Sequence, residues 1–585
     1  MSKFTSASTS TFTNIPAAPS KNARSSFDHR KYVAYDVPAL PDRTWPDQVI
    51  TQAPIWCSVD LRDGNQALVD PMTVPQKVTM FELLVDMGFK EIEIGFPSAS
   101  QTEFDFCRKL IEENRIPDDV TIQVLVQARE PLIARTYEAL KGAKKAIVHV
   151  YNSTSRVQRE QVFQQDMKEI RNLARQGARW VKDYAMQYPE THWRFQYSPE
   201  SFTGTELEYA ISVCNAVLDV WQPTVDAKAI INLPATVEMS TPNVFADQVE
   251  RVHRALACRD AVVLSVHTHN DRGTGIAASE LAVMAGADRV EGTLLGNGER
   301  TGNMDIFTMA MNLYSRGVDP ELYLADVDRI EQVYTECNNL PVHPRHPYIG
   351  ELVYTAFSGS HQDAIKKCLD ARQADDPWEV AYLPIDPADL GRNYEAVIRV
   401  NSQSGKGGVA YLLEQQTGFR LPRALQVAFS QVVQQESERS SKEIRTDWIE
   451  AAFNAQYCRE APLAIESYRL NAARDGKDQL AVEVRFHGQV QTWVGKGQGP
   501  LAAWVNAVNS HCGLNLEVDD YAEHSLGRDK DANAVAFVAL TMGDDTFWGC
   551  ATGSDIVRTA LDAVAAGCNA ALSQAGIEGS LSELA

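Results

Sequence analysis

The sequence predicts an α/β fold: a (β/α)8 barrel, then a mostly helical linker region, then a C-terminal α+β domain of two βββα units. Three observations predict it. Short apolar strand patterns alternate eight times with helical patterns before residue 325. The rhythm then stops, and residues 326–350 carry Pro341, Pro344 and Pro347. Finally, residues 460–585 read strand, strand, strand, helix twice over.

The barrel strands are expected at Ile55–Val59, Glu91–Phe96, Thr121–Val126, Lys145–Val150, Trp193–Tyr197, Ala229–Leu233, Val262–Val266 and Arg289–Leu294. Most are short and apolar on both faces, as a parallel sheet covered by helices requires. Helical spacing fills the gaps. Val78–Met87 ends at Gly88, Pro242 opens Asn243–Leu256, and Ile276–Ala285 closes at Gly286, a natural C-cap. Eight alternations favour a closed barrel over an open sheet.

Residues 351–457 read as mostly helical, with turn-rich breaks at Asp375–Pro377, Leu383–Arg392 and Ser404–Gly408. In the repeat, strands are expected at Ala464–Asn471, Leu480–Phe486 and Gln489–Val494 before a helix at Pro500–Ser510. The second unit has strands at Leu514–Tyr521, Ala534–Met542 and Asp545–Thr552 before a helix at Asp555–Ser573. The domains expected are an arm (1–50), the barrel (51–325), the linker (326–459) and a regulatory or dimerisation domain (460–585).

A net charge of −22 argues against a nucleic-acid surface, which is normally basic. The ten cysteines include no CxxC pair and fit reduced thiols in a cytoplasmic setting. No apolar run approaches the roughly 20 residues that span a bilayer. The first 27 residues are rich in Ser and Thr and contain no acid. They read as a flexible arm, with a mitochondrial targeting segment as the alternative.

Chemistry-bearing residues concentrate at the C-terminal ends of the strands, where a barrel of this kind builds its active site. His267 and His269 lie two apart in VVLSVHTHNDRGTG, so both imidazoles face one side of a strand and can meet one metal ion. The first strand ends in Asp60-Leu61-Arg62-Asp63-Gly64, and Asp63 is the favoured carboxylate for the same ion. Asn303 is a candidate carbonyl ligand, directly or through water. Two imidazoles and a carboxylate suit Zn2+, Mn2+ or Mg2+. The bland reading of the H-x-H pair is packing, and that of Arg62 is a loop salt bridge. Arg62 beside a metal would instead neutralise an oxyanion. Further candidates are His149, Ser198, Glu200, Asn232, Thr236 and Asp271. The Gly296–Asn303 loop is expected to let backbone approach a ligand. Glu299 with Arg300 reads equally well as an internal ion pair. Gly405-Lys406-Gly407-Gly408 is read as a turn.

These motifs carry a resemblance. DLRDGNQAL at 60–68, HTHND at 267–271 and GNGERTGN at 296–303 look like metal-dependent Claisen-condensing barrel enzymes. YNSTS at 151–155, YSPESF at 197–202, NLPATVE at 232–238, GSHQDAI at 359–365, YLPIDP at 382–387 and VNSQSGKGG at 400–408 resemble long-form 2-isopropylmalate synthases. The likeness covers about residues 30 to 585. The barrel motifs alone also admit homocitrate, citramalate and 2-ethylmalate synthases. No second Arg or Lys stands out in the pocket segments to bind a side-chain carboxylate.

The resemblance implies condensation of acetyl-CoA with 2-oxoisovalerate and water to 2-isopropylmalate and CoA, the committed step of leucine biosynthesis. It implies a divalent metal on Asp63, His267, His269 and Asn303, with K+ as a possible activator. Arg62, His149, Ser198, Glu200 and Thr236 would line the substrate pocket. His361 and Tyr382 would supply the base, with Glu200 sharing or positioning the proton, and would reach the active site of a neighbouring subunit in a homodimer. The C-terminal domain would bind leucine as inhibitor around His524, Leu526, Ala532 and Ala536.

Overall fold

The computed structural model describes residues 29–35, 37–356, 358–392, 406–440, 444, 446–471, 478–527 and 532–576. The first 28 residues, and with them the arm or targeting reading of residues 1–27, lie outside the described residues. The chain divides into two compact units, residues 1–313 with 318–321, and residues 314–317 with 322–585.

In the first unit eight strands close a parallel barrel in sequence order. They are β1 (Ile55–Ser58), β2 (Glu91–Gly95), β3 (Thr121–Gln127), β4 (Lys145–Ser153), β5 (His192–Glu200), β6 (Ala229–Ala235), β7 (Val262–Thr268) and β8 (Arg289–Gly292). Closure is the β1–β8 pairing, Ile55 opposite Arg289 through Ser58 opposite Gly292. The eight expected strands are all present. β4 and β5 run three residues further than expected, because Tyr151, Asn152 and Ser153 continue the ladder opposite Ser198, Pro199 and Glu200. Ser198 and Glu200 are therefore strand residues rather than loop residues.

Helices α1 (Val74–Asp86), α2 (Gln101–Glu112), α3 (Glu130–Leu140), α4 (Met167–Ala185), α5 (Leu207–Trp221), α6 (Pro242–Ala255), α7 (Gly275–Met284) and α8 (Ile306–Tyr314) surround the strands. A reciprocal Thr73–Gln76 capping box starts α1 earlier than its apolar spacing predicts. Gly286 follows α7 at φ +104°, and a Cβ there would lie 2.5 Å from the His253 ring. Residues before β1 fasten to α6: Arg43 forms a bidentate pair with Asp247, and the Trp45 indole donates to the same carboxylate at 2.8 Å.

The strands are not apolar on both faces throughout. Glu91, Glu93, Gln123, Gln196, Arg289 and Glu291 are buried. They bond to one another across the barrel. Side chains two apart in a strand share a face, so Glu91/Glu93 and Arg289/Glu291 enter the interior together.

The second unit begins with helices α9 (Val327–Asn338), α10 (Gly359–Ala371), α11 (Lys406–Thr417), α12 (Arg423–Ser440) and α13 (Thr446–Tyr457). Lys406, Gly407 and Gly408 open α11 rather than forming the turn read from their sequence, and Ser404 and Gly405 lie outside the described residues. Two antiparallel three-stranded sheets follow. β9 (Leu463–Asn471), β10 (Asp478–Phe486) and β11 (Gln489–Gly497) precede α14 (Pro500–Cys512). β12 (Glu517–Ser525), β13 (Ala534–Met542) and β14 (Asp545–Gly553) precede α15 (Ile556–Gln574). The βββα repeat is thus present. β12 starts three residues later than expected because Asn509 exchanges two hydrogen bonds with the Leu516 backbone, holding 514–516 against the end of α14. Leu480, Val482, Trp493, Trp504, Val538, Leu540 and Leu561 share one apolar core between the sheets and helices. Among the described residues no helix is long and apolar enough to cross a membrane.

Candidate active site at the barrel mouth

After β1 the chain makes one wide π-type turn, Asp60–Gly64. The Val59 carbonyl accepts the N–H groups of Arg62, Asp63 and Gly64 at 2.9–3.2 Å. Such turns recur at functional sites because they re-aim side chains without ending a segment. Here the turn sends Arg62 and Asp63 over the barrel mouth. They border a cavity of about 320 Å³ that is also lined by His149, Ser198, Glu200, Asn232, Thr236, His267, His269, Glu299 and Arg300. Phe96, Leu125, Tyr151 and Pro234 add an apolar side.

Asp63, His267 and His269 form one of two clusters with metal-ligand chemistry among the described residues. His267 Nε2 and His269 Nε2 lie 3.4 and 3.7 Å from Asp63 Oδ2. That oxygen is buried and has no hydrogen-bond partner among the described residues, and neither has Asn303 Oδ1. Asn303 is brought beside His269 by a backbone bridge, and its amide donates to the Asn297 carbonyl at 2.9 Å. Two orphaned buried acceptors beside two imidazoles fit a divalent cation, since burying such groups unpaired is costly.

The charges are strongly coupled. Burial favours a neutral carboxyl at Asp63, but Arg62 and the two imidazoles beside it hold it well below the usual carboxylate range. Burial also opposes charge on His267, yet Asp63 and Glu291 raise it to about 9. Burial and the neighbouring His267 lower His269 to about 4. Arg62 stays cationic because Glu93 and Asp63 outweigh its burial. It donates to Asp63 Oδ1 at 2.7 Å and, from Nε, to Glu93.

His149 bridges the floor and the cavity: Nδ1 lies 2.8 Å from Glu93 Oε2, and Nε2 lies 2.7 Å from the Ser198 hydroxyl. Asn232 donates to Ser198 at 3.0 Å. Glu200 accepts from the Ser153 hydroxyl. Thr236 Oγ1 accepts the Ser201 N–H at 3.0 Å, which leaves its own hydroxyl proton to donate.

Two expectations about the rim are corrected. Arg300 pairs with Asp271, at 2.6 Å, and not with Glu299, which instead accepts from Gln66 at 3.4 Å. This pairing removes Asp271 from competition with Asp63 for a metal. Arg300 is also a second arginine on the cavity wall, although none was expected there. The glycine-rich loop also makes close approaches of its own. A Cβ on Gly302 would lie 1.9 Å from the Gly296 carbonyl, and one on Gly298 would lie 2.2 Å from Asn303. These glycines let the loop fold on itself and seat Asn303.

His361 and Tyr382 belong to the second unit, where their rings stack at 3.9 Å. Tyr382 is 60% exposed at φ +66°. The four residues expected at the leucine site do not share one face. His524 lies in β12, not in a loop, and stacks on Phe537 at 5.9 Å. Its Nε2 faces the Gly418 carbonyl at 3.1 Å. Ala536, one residue from Phe537, turns the other way into the domain core. Leu526 donates its backbone N–H to the Asn533 carbonyl at 2.7 Å, and a Cβ on Gly527 would lie 3.1 Å from Ala532.

Sequence reasoning missed Glu93, Gln123, Arg289 and Glu291. A signal existed: charged residues two apart inside otherwise apolar strands, EIE in β2 and RVE in β8.

Residues 53–333 match the HMGL-like family. Residues 351–414 match the alpha-isopropylmalate synthase post-catalytic domain-like family, and residues 443–572 match the LeuA allosteric (dimerisation) domain. The chain is 55% identical over 549 residues to 2-isopropylmalate synthase of Parafrankia sp. (strain EAN1pec), covering 92% of this chain and 97% of that one. It is 54% identical to the 2-isopropylmalate synthases of Pseudomonas entomophila (strain L48) and Pseudomonas putida (strain GB-1), covering 93% of this chain and 98% of each.

Proposed function

The chain belongs to the 2-isopropylmalate synthase family, and from that premise we propose how the residues of its barrel mouth divide the condensation of acetyl-CoA with 2-oxoisovalerate. The observation that carries the reading is the buried Asp63–His267–His269 set, with its orphaned carboxylate oxygen, opening beside Arg62 into the cavity. Asp63, His267 and His269, with Asn303 Oδ1 adjacent, would hold a divalent ion, Mg2+, Mn2+ or Zn2+, which would supply Lewis-acid polarisation of the 2-oxo group.

The chain's own residues do the rest. The Thr236 hydroxyl donates to the oxoacid carboxylate, and His149 and Ser198 fix the opposite side. Leu125, Phe96 and Pro234 offer apolar surface to the isopropyl group. A base removes a proton from the acetyl methyl group, and the resulting carbanion attacks the keto carbon. One C–C bond forms, and the carbonyl π pair moves to oxygen, where the fixed guanidinium of Arg62 neutralises it. Water then cleaves the thioester, releasing CoA and the 2-isopropylmalate carboxylate. We assign the base to the His361–Tyr382 pair, supplied by the neighbouring subunit of a homodimer, with Glu200 positioning the proton. The likeness of GSHQDAI and YLPIDP to the family supports this assignment, and the match to a dimerisation domain supports the homodimer. Leucine binding by the C-terminal domain rests on the same match. Arg300 on the cavity wall is paired with Asp271, and Phe96, Leu125 and Pro234 give the pocket an apolar side. That favours a branched apolar oxoacid over 2-oxoglutarate, and hence this activity over homocitrate synthesis. Ten free cysteines and bacterial relatives support a cytoplasmic location.

The test is thiol release from acetyl-CoA with a panel of 2-oxoacids, with and without a chelator. Chelator-sensitive turnover preferring 2-oxoisovalerate is expected. Preference for pyruvate or 2-oxoglutarate would move the chain to citramalate or homocitrate synthesis, and no turnover would end the synthase reading.

A further inference from the structure

Beneath the metal-ligating residues lies a buried polar layer that the condensation chemistry does not use. Glu291 of β8 is its centre. Its Oε2 lies 2.9 Å from His267 Nδ1 and accepts from Asn232 at 3.2 Å. Its Oε1 accepts from Gln196 at 2.7 Å, Arg289 at 2.8 Å and Gln123 at 3.1 Å. Arg289 is itself held by Glu91 at 2.6 Å, Gln123 at 2.8 Å and Ser265 at 2.9 Å. Arg289 and Glu291 are both wholly buried. A carboxylate has about four lone-pair sites. With this many donors around it, Glu291 has one orientation available.

We propose that Glu291 is a positioning residue for the metal centre: it accepts the Nδ1 proton of His267, which makes Nε2 the ligating nitrogen and fixes the ring plane beside Asp63. The inference rests on the metal-site reading above. His267 stands between two carboxylates, one on each nitrogen, and only Asp63 has an unpartnered oxygen to share with an ion. Metal-bound imidazoles are commonly oriented by an acceptor on the other nitrogen, and loss of that partner typically weakens metal binding 10- to 100-fold. His269 has no such brace. Its Nδ1 is buried without a hydrogen-bond partner among the described residues. The two histidines of one motif are therefore unequal. His267 is preset by the barrel floor, and His269 takes its orientation from the rim and the ion.

The experiment is competition of full-length, chelator-stripped protein against a chromophoric chelator for Zn2+, with the visible spectrum of bound Co2+ as a second readout. Wild type is expected to bind one ion per chain, and Asp63→Ala to lose it. Glu291→Gln is expected to bind about 10- to 100-fold more weakly, with an altered Co2+ spectrum and an unchanged circular dichroism spectrum. Glu291→Asp, which restores the charge with a shorter reach, is expected to fall between them. A folded Glu291→Gln with wild-type affinity and spectrum, alongside a dead Asp63→Ala, would overturn the positioning role alone. Wild type that binds no divalent ion would overturn the metal reading and this inference with it. Should Glu291→Gln not fold, neutron diffraction of Zn2+-loaded wild type decides. Deuterium on Nδ1 of His267 supports the role, and deuterium on Nε2 overturns it.

Discussion

Inside the barrel, Glu91, Glu93, Gln123, Gln196, Arg289 and Glu291 occupy the space between strands. Inside the C-terminal domain, Leu480, Val482, Trp493, Trp504, Val538, Leu540 and Leu561 do so. The second solution is the ordinary one. Apolar burial stabilises at about 25 cal/mol per Å² and asks only for shape. The first gains little net stability, because desolvating paired charges costs about what their attraction returns. It gains direction instead, since each bond fixes an angle. The ionic interior lies directly under Arg62, His149 and His267, the groups whose aim matters most. Each region is therefore sensitive in its own way: substitutions in the barrel interior should cost chemistry, and those in the domain core should cost stability.

The largest expected effect tests the chemical side. Asp63→Ala should reduce thiol release at least about 1,000-fold while the thermal transition of the fold survives, because it removes a ligand and the partner of Arg62. Arg62→Lys should follow, with kcat down about 100- to 1,000-fold. The ammonium keeps the charge but cannot hold Glu93 and Asp63 together. Steady-state kinetics beside circular dichroism would check both, and a drop explained by unfolding would break the contrast.

Leu480→Ala tests the other side. It leaves a cavity in the apolar core and should cost about 3 kcal/mol, read as a lower melting temperature with Zn2+ affinity unchanged. Altered metal binding in this variant would show that the two interiors are not independent.

A smaller effect concerns Asp60, below the mouth. Burial raises its carboxyl from 3.8 to about 6, against hydrogen bonds from the Ser58 hydroxyl and the Leu294 N–H. The unfolded chain therefore ionises first as pH rises. This group's stabilising contribution is complete below about pH 4 and falls by about 2–3 kcal/mol between pH 4 and 6. Asp60→Asn should flatten that part of the melting-temperature profile. Smallest of all, Lys90→Ala breaks an exposed pair with Asp119 and should leave the melting temperature indistinguishable from wild type, because solvent screens such pairs.

Much of this division was legible in residues close together in the chain. The H-x-H spacing, the Arg62-Asp63 pair and all eight strands were readable because strand periodicity and motif spacing are local. The preference for Asp63 over Asp271 had a local argument too, but the partner of Asp271 is Arg300, twenty-nine residues away and one strand over. Glu93 and Glu291 went unread although both sit in plain strand patterns. Their partners come from the turn after β1 and from β3, β4, β5, β6, β7 and β8, and no single segment shows that Glu291 has five neighbours waiting for it.

The order of residues alone sets the alternation of strand and helix and supplies the residue types able to hold a metal. Periods of 2.0 and 3.6 are properties of consecutive residues. It is folding that chooses Asp63 for the place beside the two imidazoles and Glu291 for the floor beneath His267, and that turns the loop glycines to seating Asn303. Those choices depend on closure of the barrel, which brings β1 against β8 and places groups more than 200 residues apart within 4 Å of one another.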